Sequence, residues 1–260
     1  SLEDPDVIGL SCYQWNMRYN AVIAKKIKSK FPQCKIIVGG PHVSANDVDL
    51  FKKHTYYDIA VFNEGELLFK EVLKNLYDGE KLQEVKGIGI NQNGYMHKTG
   101  IGKRTENLDD IPSPYLLGLF EGMKEKCESK GIVINALFES NRGCPYSCTF
   151  CDWGNGVLGK VKKFDVRRVK KELLWYAKNK IEYVLNCDAN WGIFAQRDLE
   201  LTQFMCKLKR RYGYPNIFDT NWAKHSSNKT VDIAKLFLEQ DMLRRFTASI
   251  QSSNPDSLKA

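Results

Sequence analysis

The sequence has no apolar run long enough to cross a bilayer and no charged-then-apolar leader at its start. A spanning helix needs about 20 consecutive apolar residues, so a membrane-spanning helix is excluded, and secretion is not expected. Cysteine is too sparse for a disulfide scaffold, with 8 in 260 residues. Without a secretion signal these read as reduced thiols, and the expected setting is the cytoplasm. Histidine is scarcer still, at 4. His54, His97 and His225 have no metal-ligand spacing, and His42 follows Gly-Gly-Pro in a turn. The glycine pair after an early strand, in "IIVGGPHVSAN", does not complete the G-x-G-x-x-G of a dinucleotide site.

Hydrophobic residues make up 43% of the chain, ample for a buried core, and the net charge is +8. The basic residues come in runs at "KKIKSK", "KVKKFDVRRVKK" and "KLKRR". Each lies on or beside an expected amphipathic helix, where a solvated basic face explains it. Charge alone singles out no phosphate-bearing or acidic partner.

The first third alternates short apolar strands with helices. Strands are expected at 6–11, 35–40 and 58–62. A helix over 20–31 is expected to turn Val22, Ile23, Ile27 and Phe31 inward, and another, near Gly79 at its end, to bury Leu67, Leu68, Val72, Leu73 and Leu76. This pattern implies a parallel sheet covered on both faces. "GIGINQNGYMHK" predicts a hairpin turning at Asn93-Gly94. Residues 101–130, with "NLDDIPSPY", read as a linker between a domain at 1–100 and one at 131–260. The second domain restarts the alternation with four strand–helix steps, at "IVINALFES", "EYVLNCDAN", "NIFDTNW" and "RRFTASIQ", as in a partial (β/α) barrel.

The stretch "GCPYSCTFCDWG" follows the first of those strands and holds Cys144, Cys148 and Cys151 as C-x3-C-x2-C. Structural zinc takes four protein ligands, usually as two pairs. Neither Cys127 nor Cys187 brings a partner at pair spacing. Iron–sulfur clusters are also held by thiolates. Three of them leave one iron of a [4Fe–4S] cluster open to a substrate or cofactor, which is a physical reason for three and not four; a zinc knuckle or three buried thiols is the alternative reading.

"CPYSCTFC" at the end of the first strand of a β/α repeat resembles the signature of the radical S-adenosylmethionine superfamily. The resemblance implies that S-adenosylmethionine chelates the open iron through its amino and carboxylate groups. One electron then breaks the sulfonium bond to the 5′ carbon, and the 5′-deoxyadenosyl radical takes a hydrogen atom from substrate. It further implies that Asp188 and Asn190 in "CDANWG" lie near the methionine amino group, that Phe150 packs by the adenine, and that Ser249 and Gln251 in "SIQSSNPDSL" contact the ribose and carboxylate. Asp and Asn after a strand can equally cap the following turn, and Ser252 to Asp256 can equally lead into a helix.

"GLSCYQWN", "VGGPHVS" and "FNEGELLF" end three successive strands. In order and spacing they are similar to the cobalamin-binding domain that precedes the catalytic domain in cobalamin-dependent radical enzymes. Doubly wound sheets bind ligands at such strand ends. The resemblance places Ser11, Trp15, Gly39, Gly40 and Gly65 beside the corrin or its nucleotide tail; packing alone would also explain Trp15. The D-x-H-x-x-G motif, whose histidine can ligate cobalt, is absent.

The expected fold is therefore α/β: a partial doubly wound, Rossmann-like cobalamin-binding domain, then a partial (β/α) radical S-adenosylmethionine barrel, as a fragment of a longer enzyme. The expected cofactors are a [4Fe–4S] cluster, S-adenosylmethionine and cobalamin. The expected reaction is methyl transfer to an unactivated carbon of a small-molecule or peptide substrate, with an electron donor such as flavodoxin or ferredoxin. Membrane and nucleic acid are not expected partners. Ring rearrangement is an alternative within the family. A methylthiotransferase would need three more cysteines for a second cluster, and only Cys12 and Cys34 lie in the first domain. A zinc-stabilised nucleic-acid-binding module would want aromatics interleaved with the basic runs, which hold few.

Overall fold

The computed structural model describes residues 4–146, 148, 151, 160–224, 228–246 and 252–256. The chain divides into two units, Ser1–Glu106 and Asn107–Ala260.

In the first unit, β1 (Val7–Ser11), β2 (Lys35–Gly39) and β3 (Ile59–Val61) run parallel, separated by α1 (Met17–Lys30) and α2 (Leu50–Lys53). After α3 (Glu66–Asp78) the hairpin of β4 (Ile88–Gln92) and β5 (Tyr95–Lys98) adds antiparallel to β3, so the sheet order is β1-β2-β3-β4-β5. Asn93 and Gly94 turn that hairpin with φ of 54° and 88°, the paired left-handed conformation that a tight hairpin requires.

Successive side chains of a strand face opposite sides of its sheet, and the two cores follow from this. Ile36, Val38, Ala60 and Phe62 join Met17, Ala24, Ile27, Leu50 and Phe51 in one cluster. Ile37, Ile59 and Val61 join Val72, Val85 and Ile88 in the other. The sheet is thus covered on both faces, as a parallel sheet needs. Gly79 caps α3 in the left-handed conformation at φ 69°.

The inward face of α1 differs from the expectation. Met17, Asn20, Ala24 and Ile27 are buried, whereas Val22 and Ile23 are 56% and 44% exposed. Asn20 explains the rotation: its amide donates to the Ser11 carbonyl at 3.0 Å, so a polar residue belongs to the buried stripe. On α3, Leu67 is likewise exposed, while Val72 is buried and Leu68, Leu73 and Leu76 pack partly against the core.

The second unit takes in much of the stretch read as a linker. A 3-10 turn at Leu108–Asp110 and α4 (Met123–Glu128) lie within it. Leu108 is buried in the second unit's core, with Ile111 and Tyr115 packed against that core. The Tyr115 hydroxyl donates to the Leu137 carbonyl at 2.8 Å and accepts from the Leu137 amide at 3.2 Å. The Arg168 guanidinium donates to the carbonyls of Ile111 and Leu108 at 2.5 and 3.3 Å. Glu64 ties the residues just before the boundary to the first unit, accepting from the Arg104 side chain and the Thr105 amide at 2.9 and 2.8 Å.

The second unit's elements are β6 (Ala136–Phe138), β7 (Asn141–Arg142), β8 (Lys162–Lys163), α5 (Val166–Lys178), β9 (Tyr183–Asn186), α6 (Ala195–Tyr212), β10 (Ile217–Asp219) and α7 (Asn228–Glu239). A parallel sheet of order β10-β9-β6 carries the helices in its crossovers. Phe138, Val184 and Phe218 meet Tyr176, Leu201, Met205 and Phe237 from the helices in one apolar core. The opposite face holds Leu137 and Leu185, which are partners in register and 62% and 39% exposed. The expected fourth strand falls largely outside the described residues. Leu243–Phe246 is not strand, and the link to the sheet there is the Phe218 amide donating to the Met242 carbonyl at 2.9 Å.

Candidate functional site

The cysteine segment leaves the sheet at the carboxyl end of β6, and its two ends are joined. The strands β7 and β8 pair antiparallel, Asn141 with Lys163 and Arg142 with Lys162. Below that ladder the Phe164 amide donates to the Ser140 carbonyl at 3.1 Å. Arg197 on α6 reaches both sides, donating to the Ser140 carbonyl and hydroxyl at 2.8 and 3.0 Å and to the Phe164 carbonyl at 3.3 Å. Such short strands have no periodicity to read, and sequence reasoning missed them.

Asp188 lies in the same frame. It is fully buried, and its carboxylate accepts from the Ser140 amide and hydroxyl at 2.7 and 2.5 Å. It also accepts from the Asn141 amide and side chain at 3.0 and 2.8 Å. Burial pushes its carboxyl up to about 6, opposed by the donors on Ser140 and Asn141 and by the Arg197 guanidinium. The four converging donors suit its carboxylate form. Its two oxygens are thus engaged in holding the base of the cysteine segment. Asp198, next on α6 after Arg197, is also buried and accepts from the amides of Gly192 and Phe194 at 2.9 and 3.1 Å, fixing the turn after β9.

The three cysteines are free thiols, Cys144 buried and Cys148 and Cys151 half-buried. The Asn190 amide donates to the Cys144 sulfur at 3.2 Å, and both residues are buried. The Lys224 ammonium donates to the Cys148 sulfur at 2.9 Å and lies 5.7 Å from the centre of the Tyr146 ring. These donors come from adjacent strand ends. Beyond β9 and β10, Trp191 and Trp222 form a parallel bridge: the Trp191 amide donates to the Asn221 carbonyl at 2.7 Å and the Ala223 amide to the Trp191 carbonyl at 2.9 Å. Asn190 and Lys224 flank that bridge. Contact with Cys148 raises the Lys224 ammonium above its ordinary value. Lys224 belongs to no motif, and nothing in the sequence pointed to it. Phe150, Ser249 and Gln251 lie outside the described residues.

Three soft sulfur ligands, two of them receiving N–H donors, fit an iron–sulfur cluster. Among the described residues no three His, Cys, Asp or Glu side chains converge on a single metal ion. A cuboidal cluster instead takes one thiolate per iron.

In the first unit, Ser11 ends β1 and is exposed, and the loop after it is shaped by asparagines. The Asn16 side chain donates to the Ser11 carbonyl at 2.9 Å and accepts from the Tyr13 amide at 2.7 Å. Trp15 is 74% exposed and stacks on Tyr13 at 4.6 Å between ring centres. Gly39 ends β2, and a side chain there would meet only ordinary contacts, the nearest being the Val61 carbonyl oxygen at 3.5 Å. Gly40 differs: at φ +102° an added Cβ would lie 2.9 Å from the Cys12 carbonyl oxygen. Gly65 begins α3 with an ordinary φ of −95°. The structure thus brings Ser11, Gly39 and Gly40 together at neighbouring strand ends, where half-open glycine backbone admits a flat ligand, and this fits cobalamin.

The fold and the site define the class: an α/β chain with a B12-binding Rossmann-like unit followed by a second parallel β/α unit. The family model for the B12 binding domain matches residues 2–73. The chain is related to the cobalamin-dependent radical S-adenosylmethionine methyltransferases. It is 38% identical over 258 residues to the cobalamin-dependent radical SAM methyltransferase TokK of Streptomyces tokunonensis, covering 99% of this chain and 38% of TokK. It is 36% identical over 260 residues to the 2-(S-pantetheinyl)-carbapenam-3-carboxylate methyltransferase of Streptantibioticus cattleyicolor, covering 100% of this chain and 38% of that enzyme. The chain therefore spans 38% of the length of these curated relatives.

Two solved structures share the fold. The cobalamin-dependent S-adenosylmethionine radical enzyme OxsB, with aqua-cobalamin and S-adenosylmethionine bound, matches with a TM-score of 0.72 at 21% identity, over 98% of this chain and 37% of that one. The radical S-adenosylmethionine methyltransferase TsrM from Kitasatospora setae, with tryptophan substrate and a SAM analog bound, matches with a TM-score of 0.69 at 13% identity, over 98% of this chain and 50% of that one. No helix among the described residues is long and apolar enough to cross a membrane.

Proposed function

We propose that this chain forms the cobalamin- and cluster-binding part of a radical S-adenosylmethionine methyltransferase acting on an unactivated carbon. The observation that carries the reading is the trio Cys144, Cys148 and Cys151 at the carboxyl end of β6, with Asn190 and Lys224 donating to two of the sulfurs. The three thiolates would hold a [4Fe–4S] cluster and leave one iron for S-adenosylmethionine. When bound, the cluster supplies one electron to S-adenosylmethionine, and cobalamin supplies the methyl carrier. The chain's own residues bind and orient these groups, which is the protein's usual share in cofactor chemistry.

Arg197, Asp188, Ser140 and Asn141 keep the two ends of the cysteine segment together and so set where its thiolates begin. Ser11, Gly39 and Gly40 offer the corrin a face of backbone, with Trp15 and Tyr13 stacked at its edge. Gln251 and Ser249 would serve the bound S-adenosylmethionine, and an electron donor such as flavodoxin or ferredoxin would reduce the cluster.

Anaerobic reconstitution tests the reading. The chain should take up about four irons and four sulfides, and replacing all three cysteines by alanine should abolish uptake. Stoichiometric zinc in place of iron and sulfide would refute it.

A further inference from the structure

We propose that Asn190 and Lys224 are positioning residues that set the reduction potential of the cluster, by donating N–H bonds to two of its three cysteine sulfurs. The inference rests on the cluster reading above and adds a role for two side chains that supply no metal ligand.

The geometry is specific. The Asn190 amide nitrogen lies 3.2 Å from the Cys144 sulfur, and both residues are buried, so water does not compete for the bond. The Lys224 ammonium lies 2.9 Å from the Cys148 sulfur. The two donors flank the bridge of Trp191 and Trp222, which is pinned by two backbone hydrogen bonds. Trp191 is fully buried and Trp222 nearly so, which anchors the strand ends from which the donors reach. The backbone from which both donors reach is therefore anchored at the strand ends.

Reduction adds one negative charge to the cluster and its thiolates. A donor aimed at a thiolate sulfur is attracted more strongly after that charge arrives than before, so it favours the reduced form and raises the potential. Hydrogen bonds to the sulfurs and net charge are established levers on cluster potentials. Asn190 acts as a dipole in a dry site. Lys224 acts as a full charge but is exposed, so solvent screens part of its effect.

The test is a redox titration of the reconstituted chain, reading the fraction of reduced cluster by electron paramagnetic resonance at fixed solution potentials. Asn190→Leu keeps a branched side chain of similar size without the donor, and Lys224→Met keeps the stem without the charge. Each should lower the reduced-to-oxidised ratio about tenfold, a shift of about 59 mV for a one-electron couple. Lys224→Arg, which keeps a cationic donor, should hold the ratio near that of the unaltered chain. Iron and sulfide content of each variant, measured alongside, gives the ratio per assembled cluster. Lys224 is exposed, so its variants test the idea even if Asn190→Leu assembles poorly. An unchanged ratio in Lys224→Met with a full cluster overturns the role of Lys224, and the same result in Asn190→Leu overturns that of Asn190. If the unaltered chain takes up no cluster at all, the functional reading itself fails, and that outcome is distinct from both.

Discussion

Replacing Asp188 by alanine should destabilise the second unit by about 4 kcal/mol. The carboxylate accepts four hydrogen bonds in a fully buried setting, two from backbone amides at Ser140 and Asn141 and two from their side chains. The side-chain donors can turn elsewhere when the acceptor is gone. The backbone amides cannot, and a buried unsatisfied donor costs about 1–3 kcal/mol. Two of them at the middle of that range give about 4 kcal/mol. Arg197 keeps its ion pair with Asp198 at 3.4 Å, so no unpaired cation adds to that cost. Both amides donate to the same oxygen, and Asp188→Asn keeps an acceptor there, so well under half the loss should remain. Ser140→Ala should cost about 1–2 kcal/mol, and the double variant should cost clearly less than the sum of the two. Urea unfolding followed by tryptophan fluorescence measures all of this, since Trp191 is fully buried three residues from Asp188. A loss below about 1 kcal/mol for Asp188→Ala, or additivity with Ser140→Ala within about 0.5 kcal/mol, would refute the frame described here.

Gly40→Ala should destabilise the first unit by about 2 kcal/mol or more, because φ is +102° and the new Cβ meets backbone at 2.9 Å; Gly39→Ala should leave thermal unfolding nearly unchanged yet weaken cobalamin binding, measured by absorbance titration. Arg168→Ala removes bonds to Ile111 and Leu108 and strands the buried Glu172, so it should cost about 3 kcal/mol and speed limited proteolysis within 107–120; unchanged cleavage there counts against the packing assigned to that segment. His42 is exposed in its turn, so His42→Ala should leave the cob(II)alamin spectrum unaltered; a nitrogen superhyperfine pattern that vanishes in the variant would make His42 a cobalt ligand.

The strands of the two parallel sheets, the main helices and the hairpin were legible because periodicity and the Asn93-Gly94 pair are local signals. The cysteine trio was legible for the same reason, as a spacing within eight residues. What escaped depends on contacts between distant parts of the chain. Asn20 looks like a break in an apolar face until its bond to the Ser11 carbonyl is seen. Asp188 and Asn190 read as neighbours with one shared role, yet they point to different partners: one grips Ser140 and Asn141, the other Cys144. Arg197 and Lys224 lie outside every motif and basic run of the sequence and acquire meaning only from what α6 and the end of β10 bring near. The packing of Leu108, Ile111 and Tyr115 onto the second unit was hidden by the prolines around them, which mark irregular backbone without saying what it packs against.

The ladder of β7 and β8, with Arg197 across its base, also bears on how such a protein is assembled and maintained. Small zinc modules fold only as the metal arrives, because nothing else closes their chain. Here the closure entropy of the cysteine segment is already met by the ladder, by the Ser140–Phe164 bond and by the guanidinium. On the function proposed above, a cluster would then be delivered to a segment whose two ends are already joined, and its loss to oxygen would release a cargo without removing the bonds that join them.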